Sequence, residues 1–282
     1  MTPLAADLQR LLASEPVDLA RAALVIARLE YPALDDRRTL EALDALGSRA
    51  AARVAGLATH SLSGRVAEIN RFLYRDEGFS GNREHYDDYR NSLLNVVVER
   101  RTGIPISLAL VYMRVARMAG LDAVGVAFPG HFLVRATGPD GACLILDPFD
   151  EGTPLDDAAC RALFARHLGD DAPFDRRLLE PCSSRQFVAR MLNNLKRTYI
   201  ELRSFVRARE VTDLLLAVDP TLLSELRDRG LLAYHLDDFP AALRDLEDYL
   251  RLNEWSDSGD PEERERILDH VRNLRRRVAT LN

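Results

Sequence analysis

The chain has 282 residues, 47% of them hydrophobic and 29% charged, with 15 glycines and 13 prolines, a composition that excludes collagen, a disordered tail and a disulfide scaffold. Its 38 basic and 44 acidic residues leave a formal charge of −6, which argues against a nucleic-acid partner bound by phosphate neutralisation. The cysteines, Cys143, Cys160 and Cys182, lie far apart without paired spacing, so a reducing, cytoplasmic location is expected.

The opening MTPLAADLQRLLASEP lacks the basic start and unbroken apolar core of a signal peptide. The apolar run Leu19–Ile26 is interrupted by Arg21 and falls well short of the ~20 residues a membrane helix needs, so no membrane partner is expected. Leu4, Leu8, Leu11 and Leu12, then Leu40, Leu43 and Leu46, recur at helical spacing, and Pro32 ends a helix that begins near Asp18. A further amphipathic stretch carries Val66, Ile69, Phe72 and Leu73 and stops before Gly78–Gly81. Asn91-Ser92 predicts an N-cap for a helix through Arg101, closed by Gly103. The next helix runs from Pro105 to Met118, with proline in its first turn and Gly120 at its stop.

From there the period falls to two. Ala123–Phe128, His131–Ala136 and Ala142–Leu146 read as strands, the last two joined by Gly138-Pro139-Asp140-Gly141. Helices followed by antiparallel strands predict an α+β core over about 82–152, inside a first domain spanning 1–180. Residues 181–282 are helical again and repeat at an offset of 34, which aligns Phe205 with Phe239, Ala208 with Ala242, Leu216 with Leu250 and Val218 with Leu252. That is the tetratricopeptide period. It predicts two helical hairpins, Phe187–Pro220 and Thr221–Glu254, capped by a helix from Pro261.

Three features of the core could carry chemistry: Gly103-Ile104-Pro105-Ile106-Ser107 at a helix start, His131 opening a strand and Asp147 closing the next. A nucleophile at a helix N-terminus, a base and an orienting carboxylate make a triad. The turn sequence selects a three-residue loop with Gly141 as a left-handed bulge, pairing Gly138 with Ala142. His131 and Asp147 are then diagonal neighbours on one face; a two-residue loop would put them on opposite faces. Elsewhere, Glu84, His85, Asp87 and Asp88 read as a solvated acidic turn, and His60, His167, His235 and His270 have no ligand spacing, so no metal and no cofactor is expected. Cys143, on the strand beside the pair, reads as a packed and inert thiol.

The runs RRTGIPISLALVYMRVARMAGL, PGHFLVR and LILDPF resemble the Cys-His-Asp core of the transglutaminase-like superfamily. More narrowly, with EYPALD (Glu30–Asp35) and Gly78–Arg101, the chain resembles SirB-type bacterial proteins, in which such a domain precedes tetratricopeptide repeats. The family's core is Gly, any residue, Cys, three residues, Ala, then a Gly fifteen beyond the Cys. Gly103, Ala109 and Gly120 fit that frame and put Pro105 at the cysteine position. The nearest hydroxyl, Ser107, lies about 200° further round the helix and reads as a helix-start serine. The expected protein is therefore a non-catalytic one acting in binding or regulation, with a protein or peptide partner held by the repeats and by a groove containing Asn91, Asn95, Pro105 and Phe132. The alternative is an acyl-transfer or hydrolytic enzyme using Ser107, His131 and Asp147.

Overall fold

The computed structural model describes residues 2–58, 61–253 and 261–281. His60 and the end of the second expected hairpin, Glu254, lie outside them. The chain divides into two compact units, Leu11–Met191 and a second formed by Met1–Arg10 with Leu192–Asn282. The division falls inside a helix rather than at 180/181, and the first ten residues join the second unit.

In the first unit, α2 (Leu19–Ala27) is capped by Asp18, whose carboxylate accepts from the Ala20 and Arg21 amides, and α3 (Asp36–Ala55) is capped by Asp35. α4 (Leu62–Asn70) runs on into a π-helical turn, Arg71–Asp76. The predicted cap at Asn91-Ser92 is not used. Those residues sit in a 3-10 turn, Tyr89–Ser92, started by Asp88, and α5 is shorter, Leu94–Arg100. Its left-handed terminator is Arg101 at φ 58° rather than Gly103.

The centre of the unit is α6 (Pro105–Met118), which is buried along almost its whole length and round its circumference, as expected of a helix apolar on every side. It packs against α3 and against a four-stranded antiparallel meander, β3 (Asp122–Val126), β4 (Leu133–Thr137), β5 (Cys143–Asp147) and β6 (Thr153–Leu155). Gly47 marks the close approach of α3: a Cβ there would lie 2.3 Å from the Met118 sulfur. On the other side of the sheet, Leu133 and Ile145 pack with Leu163 and Phe164 of α7 (Asp157–Leu168). Ahead of the sheet, two-residue strands β1 (Ser80–Gly81) and β2 (Thr102–Gly103) pair in parallel.

The hairpin has the expected register. Val134 faces Leu146 and Thr137 faces Cys143, Gly138 N–H donates to the Ala142 carbonyl at 2.8 Å, and Gly141 adopts φ 79°. Cys143, however, is exposed at the strand's outer end.

The second unit holds α9 (Phe205–Val218), α10 (Leu223–His235), α11 (Phe239–Asn253) and α12 (Pro261–Leu281), entered from α8 (Ser184–Glu201), which crosses from the first unit; α1 (Pro3–Leu12) crosses the other way. Ala208 and Ala242 are both fully buried, as the 34-residue offset requires, and α9 and α11 start at Phe205 and Phe239. Val218 is buried but Leu252 is 50% exposed, so that pair does not match. Lys196 is buried against Glu225 and Asp228, with N–O distances of 2.6 and 2.9 Å.

Candidate functional site

The bulged loop places Asp147 at the end of β5 on the face that carries Ile145, and His131 reaches it from the turn before β4. His131 Nε2 lies 2.9 Å from Asp147 Oδ1. Both side chains are only 9% exposed. A carboxylate only accepts, so Nε2 carries the proton and Nδ1 presents a lone pair; among the described residues nothing hydrogen-bonds Nδ1. Asp147 Oδ1 also accepts from the Phe149 amide at 2.9 Å, capping the 3-10 turn Pro148–Asp150.

Neighbours fix the imidazole. The Phe149 ring meets it edge-on with centroids 6.0 Å apart, and the exposed His167 stacks on it at 5.9 Å. Arg190 donates to the backbone carbonyls of His131 and Phe128 at 3.3 and 3.5 Å. Partial burial, then the charges of His131, Arg166 and Arg190, hold the His167 pKa below its ordinary value. Burial pushes the Tyr74 and Tyr112 phenols up, with Asp147 adding to the effect on Tyr74, so neither is a base at neutral pH. His167, Arg190 and Tyr74 carry no sequence signal for this site, since separate helices bring them to it.

Ser107 belongs to a different network. It is completely buried, and its Oγ donates to the Asn91 carbonyl at 2.7 Å and accepts from the Ile104 amide at 3.0 Å. Ile104 is the N-cap of α6, so Ser107 takes the reach-back role of the third residue in a capping box. Asn91, also completely buried, accepts from Asn82 Nδ2 at 2.9 Å and donates to the His85 and Tyr86 carbonyls. Asn82 in turn holds the His85 amide through Oδ1 and donates its own amide to the Gly103 carbonyl. Among the described residues no hydrogen bond joins Ser107 to His131. The structure thus brings His131 and Asp147 together and leaves Ser107 outside their hydrogen bonds.

The residues expected to share a groove are dispersed. Asn91 and Pro105 are buried, Phe132 is buried with its ring edge-on to Phe187 at 5.0 Å, and the half-buried Asn95 lies on a separate cleft. The acidic turn is held by ion pairs, Asp88 contacting Arg90 and Arg100. Among the described residues no cluster of three metal-ligating side chains occurs, and no helix is long and apolar enough to cross a membrane.

A family model described as transglutaminase-like superfamily matches residues 37–193, and a tetratricopeptide-repeat model matches 195–272. The chain belongs to the transglutaminase-like superfamily. A UPF0162 protein of Xylella fastidiosa (strain Temecula1) is 41% identical over 241 residues, 84% of this chain and 85% of that protein. A UPF0162 protein of Pseudomonas aeruginosa is 32% identical over 256 residues, covering 91% and 90%. Human F-box only protein 21 is 33% identical over 183 residues, 61% of this chain but 28% of that protein. In this superfamily frame the position after Gly103-Ile104 is Pro105, which offers the His131–Asp147 pair no nucleophile.

Proposed function

We propose that this transglutaminase-like protein is non-catalytic and acts by binding a protein or peptide partner, in the regulatory manner of SirB-type proteins. One observation carries the reading: the hydroxyl nearest the missing thiol donates its proton to the Asn91 carbonyl and caps α6. A nucleophilic serine needs that proton within reach of the base and an oxyanion hole ahead of it. The tetratricopeptide-repeat match supports a protein partner, since such hairpins present extended binding surfaces. Three unpaired cysteines support a cytoplasmic setting.

The enzymatic alternative has one observation in its favour, the His131–Asp147 hydrogen bond with Nδ1 open. A purified full-length chain, incubated with glutamine-containing peptides and hydroxylamine and with activated esters, separates the two. The expected result is no release above buffer and no labelling of Ser107 by a fluorophosphonate. Turnover that disappears in both Ser107→Ala and His131→Ala would overturn the proposal.

A further inference from the structure

A cleft of about 650 Å³ opens between the turn that follows α2, the start of α3 and one side of α5. Tyr31, Leu34, Arg38, Asn95, Glu99 and Arg101 line it. Asn95, Val98 and Glu99 are three and four residues apart and so share one side of α5. From Asn95 to Arg101 the wall extends about 9 Å at helical rise, close to the reach of three extended residues at ~3.3 Å each.

The polar groups of this wall are incomplete in a particular way. Asn95 Oδ1 and Arg101 Nη1 are both buried, and neither has a hydrogen-bond partner among the described residues. Arg101 is anchored by its other atoms, over the Phe79 ring at 4.8 Å and 3.5 Å from Glu77, so Nη1 is a positioned donor. Buried polar atoms in native proteins are nearly always paired, and an orphan needs an explanation. An anion would answer Arg101 and leave Asn95 wanting; a cation would do the reverse. A peptide backbone answers both, because each unit carries one acceptor and one donor. Apolar surface from Tyr31 and Leu34 would meet its side chains.

We infer that this cleft binds an extended segment of a partner protein through that segment's backbone. The inference rests on the non-catalytic binding function and gives it a site separate from His131.

The test selects random heptapeptides displayed on phage against the full-length chain, then measures the affinity of synthetic copies by calorimetry. Asn95→Leu should weaken binding by about tenfold or more without lowering the melting temperature, because it removes a buried carboxamide that bonds nothing. Tyr31→Ala should also weaken binding, and His131→Ala should leave it unchanged. Failure to enrich any peptide, affinities indifferent to Asn95→Leu and Tyr31→Ala, or a lower melting point for Asn95→Leu would each overturn the cleft. Peptides that bind there and are cleaved only when His131 is intact would overturn the non-catalytic function and leave the cleft standing.

Discussion

Ser107→Ala separates a capping serine from a catalytic one, because the two roles predict opposite outcomes. The substitution removes one oxygen from a site with no exposure. Two buried backbone groups then lose their partner: the Ile104 N–H, 3.0 Å from Oγ, and the Asn91 carbonyl, 2.7 Å from it. An orphaned buried group costs about 1–3 kcal/mol, so the pair costs about 2–5 kcal/mol after some relaxation. Water cannot easily repair the loss, since Gly103 closes the site so tightly that a Cβ there would lie 2.5 Å from Oγ. For a unit of this size the penalty corresponds to a fall in melting temperature of about 4–20 °C. Because the chain has two units and need not unfold in one step, the melt is best paired with hydrogen exchange by mass spectrometry. Exchange should quicken at the Ile104 amide and through the first turn of α6. A melting point within about 1 °C of wild type, with unchanged exchange at Ile104, would refute the capping role. A nucleophile could be removed at that small cost; a cap could not.

Other expectations follow from the same bookkeeping. Lys196→Met strands Glu225, which is 5% exposed, and should cost about 3–5 kcal/mol in chemical denaturation; the added change Glu225→Gln should recover most of it, and a deficit that persists would show that the charge is not the cause. Asp147→Asn should release the imidazole tautomer: nitrogen-15 NMR of the wild type is expected to show Nε2 protonated, and a wild type protonated at Nδ1 would contradict the assigned hydrogen bond. His167 titrates below its ordinary 6.5, chiefly because burial and then His131, Arg166 and Arg190 disfavour its cation. Between its folded value and 6.5 the unfolded chain therefore binds more protons, and stability should fall as pH drops through that window. His167→Gln should flatten this segment of a urea-midpoint profile, and an unaltered slope would reject it.

The hairpin was legible because its chemistry is local. Gly138, Pro139, Asp140 and Gly141 fix the loop, the loop fixes the register, and the register puts His131 beside Asp147. α6 was equally legible, because Pro105 and Gly120 bracket it. The end of α5 was not. A left-handed arginine is locally unfavourable, but Arg101 stacks on Phe79 and pairs with Glu77, and Gly103 is required for the room it gives Ser107. The Asn82–Asn91–Ser107 network left no periodic trace either, since its bonds run from side chains to backbone between irregular segments. Phe149 gave no hint that it joins the two regions. Its ring meets His131 and Tyr86 edge-on, carries Arg83 at 5.0 Å, and lies where a Gly81 Cβ would come within 2.6 Å.

These contacts explain how the pair can stand without a nucleophile. Asp147 is needed by the fold on its own account: Oδ1 receives both His131 Nε2 and the Phe149 amide, and its backbone carbonyl receives the Gly152 amide at 2.8 Å. Pro105 is needed differently. At the first position of α6 its missing N–H leaves nothing unsatisfied, and its fixed φ suits the turn. The attacking residue of such a core can therefore be exchanged for proline at little cost to stability, whereas the orienting carboxylate cannot be removed without freeing an imidazole and uncapping a turn. A His–Asp hydrogen bond in this fold is evidence of architecture first, and of catalysis only when a nucleophile faces the open nitrogen.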